Sequence, residues 1–279
     1  MPRRSVLFSP GDRPELLRKA PGAGADVLVF DLEDAVSPDR KAEARETVAA
    51  VLSDADFEPD AEVAVRVNPG DAGRDDIAAV CATHPPDALV VPKATSADDV
   101  TSVAGAAREV GADCPVIAIV ESAAGVLAAP EVAAAPDTDA VVFGAEDFAA
   151  DVDATRSDDG TEVLYARERV VVAAAAAGVD AIDTLHVDYR DEAGLREDAA
   201  FGRRLGYDGK LAIHPAQVPV INEAFSPDEE DVAWAKKVLR ARDEAASEGR
   251  GVFGVDGEMI DAPLVKQAEN ILDRAGESY

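Results

Sequence analysis

The chain has 279 residues, of which 47% are hydrophobic, enough for the core of one α/β barrel or of two smaller domains. Its 27 Lys and Arg residues against 56 Asp and Glu give a net charge of −29, and no basic stripe is present, which argues against nucleic-acid binding. No apolar run reaches the eighteen residues that a membrane span requires, so membrane insertion is not expected.

Three further features of composition bear on the compartment. The basic N-terminus carries an apolar stretch too short for a signal peptide, and Cys81 and Cys114 form no metal-binding or disulfide pattern. A cytoplasmic protein is therefore expected. The acidic residues are spread over turns and helix surfaces, as in an enzyme dissolved in concentrated salt, where ions screen the repulsion between its charges. An acid-rich protein of an ordinary cytoplasm is the alternative.

In chain order, eight short apolar segments alternate with helical ones. Short apolar runs bounded by turn signals are typical of strands that are buried on both faces of a parallel sheet. The predicted strands are residues 5–10, 25–34, 62–68, 87–93, 116–121, 140–147, 179–188 and 208–215. Helices are predicted between them, including 39–52, 74–82, a helix to 110 that begins with a Ser96–Asp99 capping box, and 162–177, which ends at Gly178. Residues 149–160 are predicted to form a surface loop.

This alternation predicts a closed (β/α)₈ TIM barrel over residues 1–225, with a doubly wound open sheet as the alternative, because sequence does not show closure. Residues 226–279 are predicted to be a C-terminal helical extension. It opens with a capping box at Ser226 and Glu229 that places Pro227 at the first helical position. A glycine-rich, mobile segment follows at 250–263, and a final helix runs to about residue 275.

Carboxylates end two successive strands: Glu121 the fifth and Asp147 the sixth. The carboxyl ends of barrel strands meet at one mouth, so these two acids are expected to lie close together. Carboxylate oxygens suit a hard divalent cation such as Mg²⁺. The structural alternative is that each acid caps the helix that follows its strand.

Further charged residues end other strands at the same mouth. Asp31 and Glu33 end the second strand, and Arg66 ends the third, where a guanidinium is able to grip a carboxylate or an oxyanion. The structural alternative is that Arg66 serves only to pair with a strand-end acid. Lys93 ends the fourth strand and raises the alternative of a Schiff-base aldolase, which a metal pair with Arg66 makes redundant. The sequence contains no Ser–His–Asp arrangement, P-loop or dinucleotide-binding glycine motif.

Several motifs occur in an order that is more specific than any one of them. They are LFSPGDRPELLRKA, DVLVFDLEDAV, VRVN, VPK, IAIVESAAGV, VFGAEDFAAD, DGKLAIHPAQV and GEMIDAP. Together they cover nearly the whole chain. The sequence resembles the citrate lyase β-subunit-like family, in the HpcH/HpaI aldolase superfamily, which includes malyl-CoA and citramalyl-CoA lyases.

The resemblance implies a role for each matching position. Glu121 and Asp147 match the magnesium ligands, and Arg66 matches the arginine that binds the acid substrate and the enolate oxygen. Asp261 in GEMIDAP matches the catalytic acid/base, which relatives deliver from a neighbouring subunit. The residues implied to contact coenzyme A are Phe8, Arg13 and Lys19, with His214 lining the same pocket. Asp31 and Glu33 are implied to bind waters on the metal; His84 and His186 are interpreted as structural.

The function implied by the resemblance is a Mg²⁺-dependent carbon–carbon lyase. It would cleave or form a hydroxyacyl-CoA thioester to give a 2-oxo acid and an acyl-CoA, in a homotrimer or hexamer. Two alternatives stay open: a malyl-CoA thioesterase of the same family, and the β subunit of a citrate lyase complex. The sequence does not identify the 2-oxo acid, because one methyl group in a pocket changes affinity by only about 1–3 kcal/mol.

Overall fold

The computed structural model describes residues 2–247, 249 and 251–277. The chain divides into two compact units, one spanning Arg3–Glu223 and the other beginning at Ala224. Each unit has a hydrophobic core of its own. In the described part of the chain, no helix is long and apolar enough to cross a membrane.

The first unit is a closed barrel of eight parallel strands. Its strands are β1 (Ser5–Pro10), β2 (Val27–Asp31), β3 (Glu62–Arg66), β4 (Ala88–Val91), β5 (Val116–Val120), β6 (Thr138–Phe143), β7 (Asp180–Asp183) and β8 (Gly209–Ala212). Each strand pairs with its neighbour in sequence, and β8 pairs with β1 through Leu7 and Ala212. This pairing closes the sheet, confirms the predicted TIM barrel and excludes the doubly wound alternative.

The barrel interior is filled by β-branched and small side chains. In β2, Val27 and Val29 belong to this interior cluster, whereas the alternating Leu28 and Phe30 point to the outside and are also buried. Strands buried on both faces read as continuous apolar runs, which is why the sequence predicts all eight of them. Because the barrel is closed and its strands are parallel, their carboxyl ends and the polar residues that follow them surround one mouth.

Helices surround the barrel. They are α1 (Pro14–Lys19), α2 (Lys41–Leu52), α3 (Asp71–Val80), α4 (Ala97–Glu109), α5 (Ala123–Ala133), α6 (Ala145–Asp151), α7 (Leu164–Ala177), α8 (Glu192–Leu205) and α9 (Val218–Phe225). The predicted Ser96–Asp99 capping box is present at α4. Gly178 ends α7 with a φ of 75°, as predicted, because the left-handed conformation there costs a glycine little.

Two predictions about the segment after β6 are wrong. The strand ends at Phe143, and Asp147, predicted at a strand end, lies in the first turn of α6. The predicted loop from residue 149 begins only after this helix, at Val152. The apolar run of β6 passes into the helix through Gly144 alone, so no turn signal separates the two elements. Helix α9 was not predicted.

The second unit contains α10 (Glu229–Ser247), an antiparallel hairpin of β9 (Phe253–Val255) and β10 (Glu258–Ile260), and α11 (Ala262–Ala275). The hairpin lies in the segment predicted to be mobile; Arg250, the first residue of that segment, is outside the described residues. The turn of the hairpin is Asp256–Gly257, and both residues have positive φ, as a type I′ turn requires.

The predicted start of α10 is also wrong. Pro227 precedes the helix, and Asp228 Oδ1 accepts a hydrogen bond from the Asp231 N–H at 2.7 Å. The side chain of Asp228 therefore supplies the cap that the sequence analysis assigned to Ser226.

Candidate active site

A cavity of about 190 Å³ opens at the mouth formed by the strand carboxyl ends. Its lining includes five of the residues singled out from the sequence: Phe8, Asp31, Arg66, Glu121 and Asp147. Its walls differ in polarity. The charged groups come from β2, β3, β5 and the start of α6, whereas the ends of β7 and β8 contribute Leu185, Leu211 and Ile213.

Glu121 directly follows β5 and is only 5% exposed. Its Oε1 accepts a hydrogen bond from the Lys93 main-chain N–H at 2.8 Å. Burial, together with the negative charges of Asp147 and Glu33, raises the pKa of Glu121 to about 7, although the Lys93 N–H opposes the shift. A cation between Glu121 and Asp147 would relieve this repulsion, so the electrostatics of the pair fit a metal ion.

Gly144 separates β6 from α6 and touches Glu121. A Cβ at this position would lie 2.6 Å from Glu121 Cβ and 2.7 Å from Glu121 Oε2. Only glycine therefore leaves room for the carboxylate. The role of Gly144 is not predicted from the sequence, because the contact that requires a glycine there is made with Glu121, which follows the neighbouring strand.

Asp147 enters the cavity from the first turn of α6. The Thr184 hydroxyl at the end of β7 accepts a hydrogen bond from the Ala145 N–H at 3.1 Å, which ties the start of this helix to the barrel. Thr184 is 2% exposed and also lines the cavity. Thr184 is not predictable from the sequence, since a threonine after a strand carries no distinctive signal.

Arg66 presents a fixed guanidinium to the cavity. Its Nε and one terminal nitrogen donate to the two oxygens of Asp31 at 2.7 and 2.6 Å, and the guanidinium lies 5.0 Å from the centroid of the Phe8 ring. Burial lowers the pKa of Arg66, but the bonds and charges of Asp31 and the charge of Glu33 outweigh it, so the net shift is upward and the group stays charged. Asp31 also accepts from the main-chain N–H groups of Glu33 and Ala35.

Glu33 lies between two cations. Its Oε1 accepts a 2.7 Å hydrogen bond from Lys93 Nζ, and its Oε2 is 3.2 Å from the remaining terminal nitrogen of Arg66. Glu33 raises the pKa of Lys93 through this hydrogen bond, which keeps the amine protonated. A Schiff base requires a neutral amine, so this contact opposes the Schiff-base alternative.

The residues that could hold a metal ion are Glu121 and Asp147. No cluster of three or more His, Cys, Asp or Glu side chains with metal-binding geometry occurs among residues 2–247, 249 and 251–277. Mg²⁺ is commonly held by one or two carboxylates and completes its shell with water and substrate oxygens. A carboxylate pair facing an open cavity is therefore an arrangement that fits magnesium better than a metal requiring a full set of protein ligands.

The four residues implied to contact coenzyme A are not all in the cavity. Phe8 lines it from β1, whereas Arg13, Lys19 and His214 are exposed and lie outside its lining. His214 stacks on Tyr189 with ring centroids 4.6 Å apart, and its Nδ1 accepts from the Ala216 N–H at 3.1 Å. This bond leaves the other ring nitrogen, Nε2, as the hydrogen-bearing one when the ring is neutral.

Asp261 belongs to the second unit. It is exposed, directly follows β10 and occupies the N-cap position of α11, but its carboxylate makes no side-chain capping bond there. The carboxylate is thus not engaged as a cap for its own helix.

One further pair near the cavity was not predicted. Glu146, which lines the cavity beside Asp147, accepts a hydrogen bond from Arg156 Nε at 2.9 Å. Arg156 also pairs with Glu162, so it ties the loop after α6 to the cavity wall. The acidic composition of this loop had indicated only a surface segment.

Comparisons with known proteins identify the family of the chain. A family model described as HpcH/HpaI aldolase/citrate lyase matches residues 4–215. Human mitochondrial citramalyl-CoA lyase is 37% identical over 99% of this chain and 86% of its own length. A (3S)-malyl-CoA thioesterase of Cereibacter sphaeroides is also 37% identical, over 98% of this chain and 95% of its own.

Among solved structures, the protein CitE from Mycobacterium tuberculosis, in complex with magnesium, acetoacetate and coenzyme A, superposes with a TM-score of 0.82. The two chains are 36% identical, and the match covers 99% of each. The agreement spans the barrel and the C-terminal unit alike. The chain therefore belongs to the HpcH/HpaI aldolase/citrate lyase family.

Proposed function

We propose that this protein is a Mg²⁺-dependent lyase that cleaves or forms the carbon–carbon bond of a hydroxyacyl-CoA thioester, of the malyl-CoA, methylmalyl-CoA or citramalyl-CoA type. The products of cleavage are a 2-oxo acid and an acyl-CoA. The observation that carries the proposal is one cavity in which two carboxylates, Glu121 and Asp147, lie with the guanidinium of Arg66. Two ligands for a hard cation and one partner for an oxyanion are what this reaction needs.

Glu121 and Asp147 would hold the magnesium ion. When bound, Mg²⁺ polarises the oxygen of the substrate that becomes the oxo group of the 2-oxo acid. The relative solved in complex with magnesium, acetoacetate and coenzyme A supports the choice of magnesium as the metal.

Arg66 would act on the other half of the substrate. Cleavage of the carbon–carbon bond leaves its electron pair on the thioester fragment, whose oxygen gains negative charge. A guanidinium already oriented by Asp31 meets that charge without reorganisation, which is the condition for effective stabilisation of a transition state. In this role Asp31 orients Arg66; the implied binding of metal waters by Asp31 and Glu33 stays a prediction.

Asp261 would complete the reaction. In cleavage, the carboxylate would take the proton of the substrate hydroxyl and then give it to the enolate carbon, which turns the enolate into acyl-CoA; in synthesis it removes the proton from that carbon. Support comes from its position in the GEMIDAP motif and from a carboxylate that makes no capping bond in α11.

Coenzyme A would enter along the apolar side of the cavity. Leu185, Leu211 and Phe8 offer an uncharged wall for the pantetheine arm. Arg13 and Lys19 would contact the phosphates; these two exposed cations follow β1, in a protein of net charge −29. His214 would lie beside the same path.

A thioesterase is the second candidate, because a malyl-CoA thioesterase and a citramalyl-CoA lyase are equally similar to this chain. The same metal and coenzyme A sites would then direct water to the thioester carbonyl. A citrate lyase β subunit, acting on an acyl-carrier thioester, is less well supported, since Arg13 and Lys19 suit free coenzyme A.

Incubation of the protein with malyl-CoA and with citramalyl-CoA in the presence of Mg²⁺ tests the proposal. A lyase releases acetyl-CoA and either glyoxylate or pyruvate, which also identifies the 2-oxo acid. Release of free CoA and the intact hydroxy acid identifies the thioesterase. No turnover of either thioester contradicts both candidates.

We also infer that the protein works as a homo-oligomer, a trimer or a hexamer, in concentrated salt. Asp261 lies in a unit distinct from the one that carries the cavity, which suits delivery of this residue to the barrel of another subunit. The net charge of −29 supports the inference about salt.

A further inference from the structure

Lys93 has a main-chain conformation that is unusual for a residue with a side chain. Its φ is 55°, in the left-handed region, which it shares with only two other non-glycine residues of the described chain, Asp153 and Asp256. Asp256 belongs to a hairpin turn, and Asp is one of the residues that tolerate this conformation. Lysine is not, so its presence just after β4 at the rim of a candidate active site calls for a physical reason.

The main chain of Lys93 provides one reason. Its N–H donates to Glu121 Oε1 at 2.8 Å, while the next residue, Ala94, donates its own N–H to the Ile119 carbonyl at 2.9 Å. The left-handed turn therefore directs two successive N–H groups at β5 and the residue that follows it. As a result, one oxygen of Glu121 is fixed by the protein and the other, Oε2, is left for a ligand.

The side chain provides a second reason. Lys93 Nζ donates to Glu33 Oε1 at 2.7 Å, and Glu33 Oε2 lies 3.2 Å from a terminal nitrogen of Arg66. Within the described residues, Glu33 Oε2 is buried and has no hydrogen-bond partner. Without the ammonium group, Glu33 would be a buried carboxylate with Arg66 as its one close cation, free to rotate into a two-oxygen grip on that guanidinium.

We propose that Lys93 is a positioning residue with two separable actions on the active site. Its main-chain N–H orients Glu121 for the divalent cation. Its ammonium group holds the other oxygen of Glu33, so that Glu33 meets Arg66 through one oxygen only, at 3.2 Å, and does not close a two-oxygen grip on the guanidinium that the substrate needs. This inference rests on the proposed lyase function and deepens it. An ion pair between Lys93 and Glu33 without a role in the site would not require a left-handed main chain. Lys93 has both the ion pair and this conformation.

Three substitutions separate the two actions. Lys93→Gly removes the ammonium but adopts a φ of 55° freely, so it keeps the N–H directed at Glu121. Lys93→Ala also removes the ammonium. Its Cβ still disfavours this φ, and no side-chain contact remains to hold the main chain in the left-handed conformation. Lys93→Arg keeps a cation for Glu33. Asp153→Gly, at an exposed loop position with a φ of 53°, controls for relief of strain alone.

The measurements are the affinity for Mg²⁺ by calorimetry, the affinity of the Mg²⁺-loaded protein for pyruvate, and kcat. We expect Lys93→Gly to bind Mg²⁺ within about twofold of wild type, and Lys93→Ala to bind it about tenfold more weakly. Both variants should lose at least about tenfold in kcat and in pyruvate affinity, because Arg66 is drawn to Glu33. Lys93→Arg should recover most of this loss, and Asp153→Gly should match wild type throughout.

Each claim has its own contradicting result. Equal loss of Mg²⁺ affinity in Lys93→Gly and Lys93→Ala overturns the main-chain action, as does no loss in either. Wild-type kcat and pyruvate affinity in Lys93→Gly overturn the side-chain action. If the wild-type protein turns over no CoA thioester, the proposed function fails, whereas the comparison of Mg²⁺ affinities still decides whether the Lys93 N–H orients Glu121.

Discussion

At the scale of single residues, the candidate metal site depends on a glycine, Gly144, that has no side chain to collide with Glu121. Gly144 lies against Glu121 at a distance that no Cβ tolerates, and Glu121 has little freedom to move because Lys93 holds its other oxygen. The carboxylate is thus fixed between a glycine and a main-chain N–H.

We predict that Gly144→Ala displaces the Glu121 carboxylate and weakens Mg²⁺ binding by about 10- to 100-fold, the range seen when groups that orient metal ligands are changed. Calorimetric titration with Mg²⁺ measures the effect. Gly105→Ala is the matched control, because a Cβ at that position in α4 meets nothing within 4 Å and should leave the affinity unchanged. Unchanged affinity in Gly144→Ala would show that Glu121 does not require the space.

At the scale of elements, α7 and α8 are joined to the barrel by a buried cluster of two acids and two bases. Lys210 on β8 reaches Asp183 on β7 at 3.0 Å and Asp198 on α8 at 2.6 Å, and Arg167 on α7 bonds to the same two carboxylates. Burial alone would raise the pKa of Asp198, but the two cations outweigh it and lower that pKa. The cluster is neutral overall, which is how buried charges become tolerable.

Lys210→Met should therefore lower the free energy of unfolding by about 3–5 kcal/mol, since it leaves the buried Asp183 and the half-buried Asp198 with one cation. Urea unfolding, followed by circular dichroism in concentrated salt, measures the change. Arg74→Met, which breaks the exposed pair with Glu109, should cost less than about 1 kcal/mol. Equal effects of the two substitutions would contradict the importance of burial.

The elements themselves were largely predictable from the sequence. The eight strands are evident because a strand buried on both faces, such as VLVFD at Val27–Asp31, cannot be mistaken for a polar segment. Once a barrel is predicted, its geometry also places Asp31, Arg66 and Glu121 at one mouth. The start of α6 was not predictable, because β6 and the helix are joined without a turn.

Contacts between distant parts of the chain explain why the roles of other site residues were not predicted. Gly144 matters only because Glu121 lies against it, Thr184 because it accepts from the start of α6, and Lys93 because of its main-chain angle. None of these is encoded by local periodicity. The β9–β10 hairpin is different: Asp256–Gly257 is a known turn signal, and the number of glycines around it obscured the two short strands.

At the scale of the whole molecule, the net charge of −29 is large enough that we expect repulsion between like charges to make the stability of the fold depend on salt. Repulsion among these charges is screened over about 3 Å in 1 M salt and over about 30 Å in 0.01 M salt. We predict that the protein loses activity and loosens when salt falls well below molar concentrations. Circular dichroism and activity that stay constant in dilute buffer would contradict adaptation to high salt.

The proposed role of Asp261 depends on the proposed homo-oligomer. If this residue acts on the barrel of a neighbouring subunit, mixing inactive Asp261→Asn with inactive Glu121→Gln should restore activity after subunit exchange. Some sites would then combine an intact metal end with an intact Asp261. Mixed oligomers that demonstrably form and stay inactive would show that Asp261 acts within its own chain or not at all.

If Glu121 and Asp147 hold the divalent cation on which turnover depends, titration with Mg²⁺ will detect that cation and the loss of it. We predict that wild-type protein binds one Mg²⁺ per chain and loses turnover in excess EDTA. Glu121→Gln and Asp147→Asn should bind none and be inactive, whereas Glu131→Gln, at an exposed position on α5, should match wild type. Full activity in EDTA, or undiminished Mg²⁺ binding by both site variants, would contradict the account.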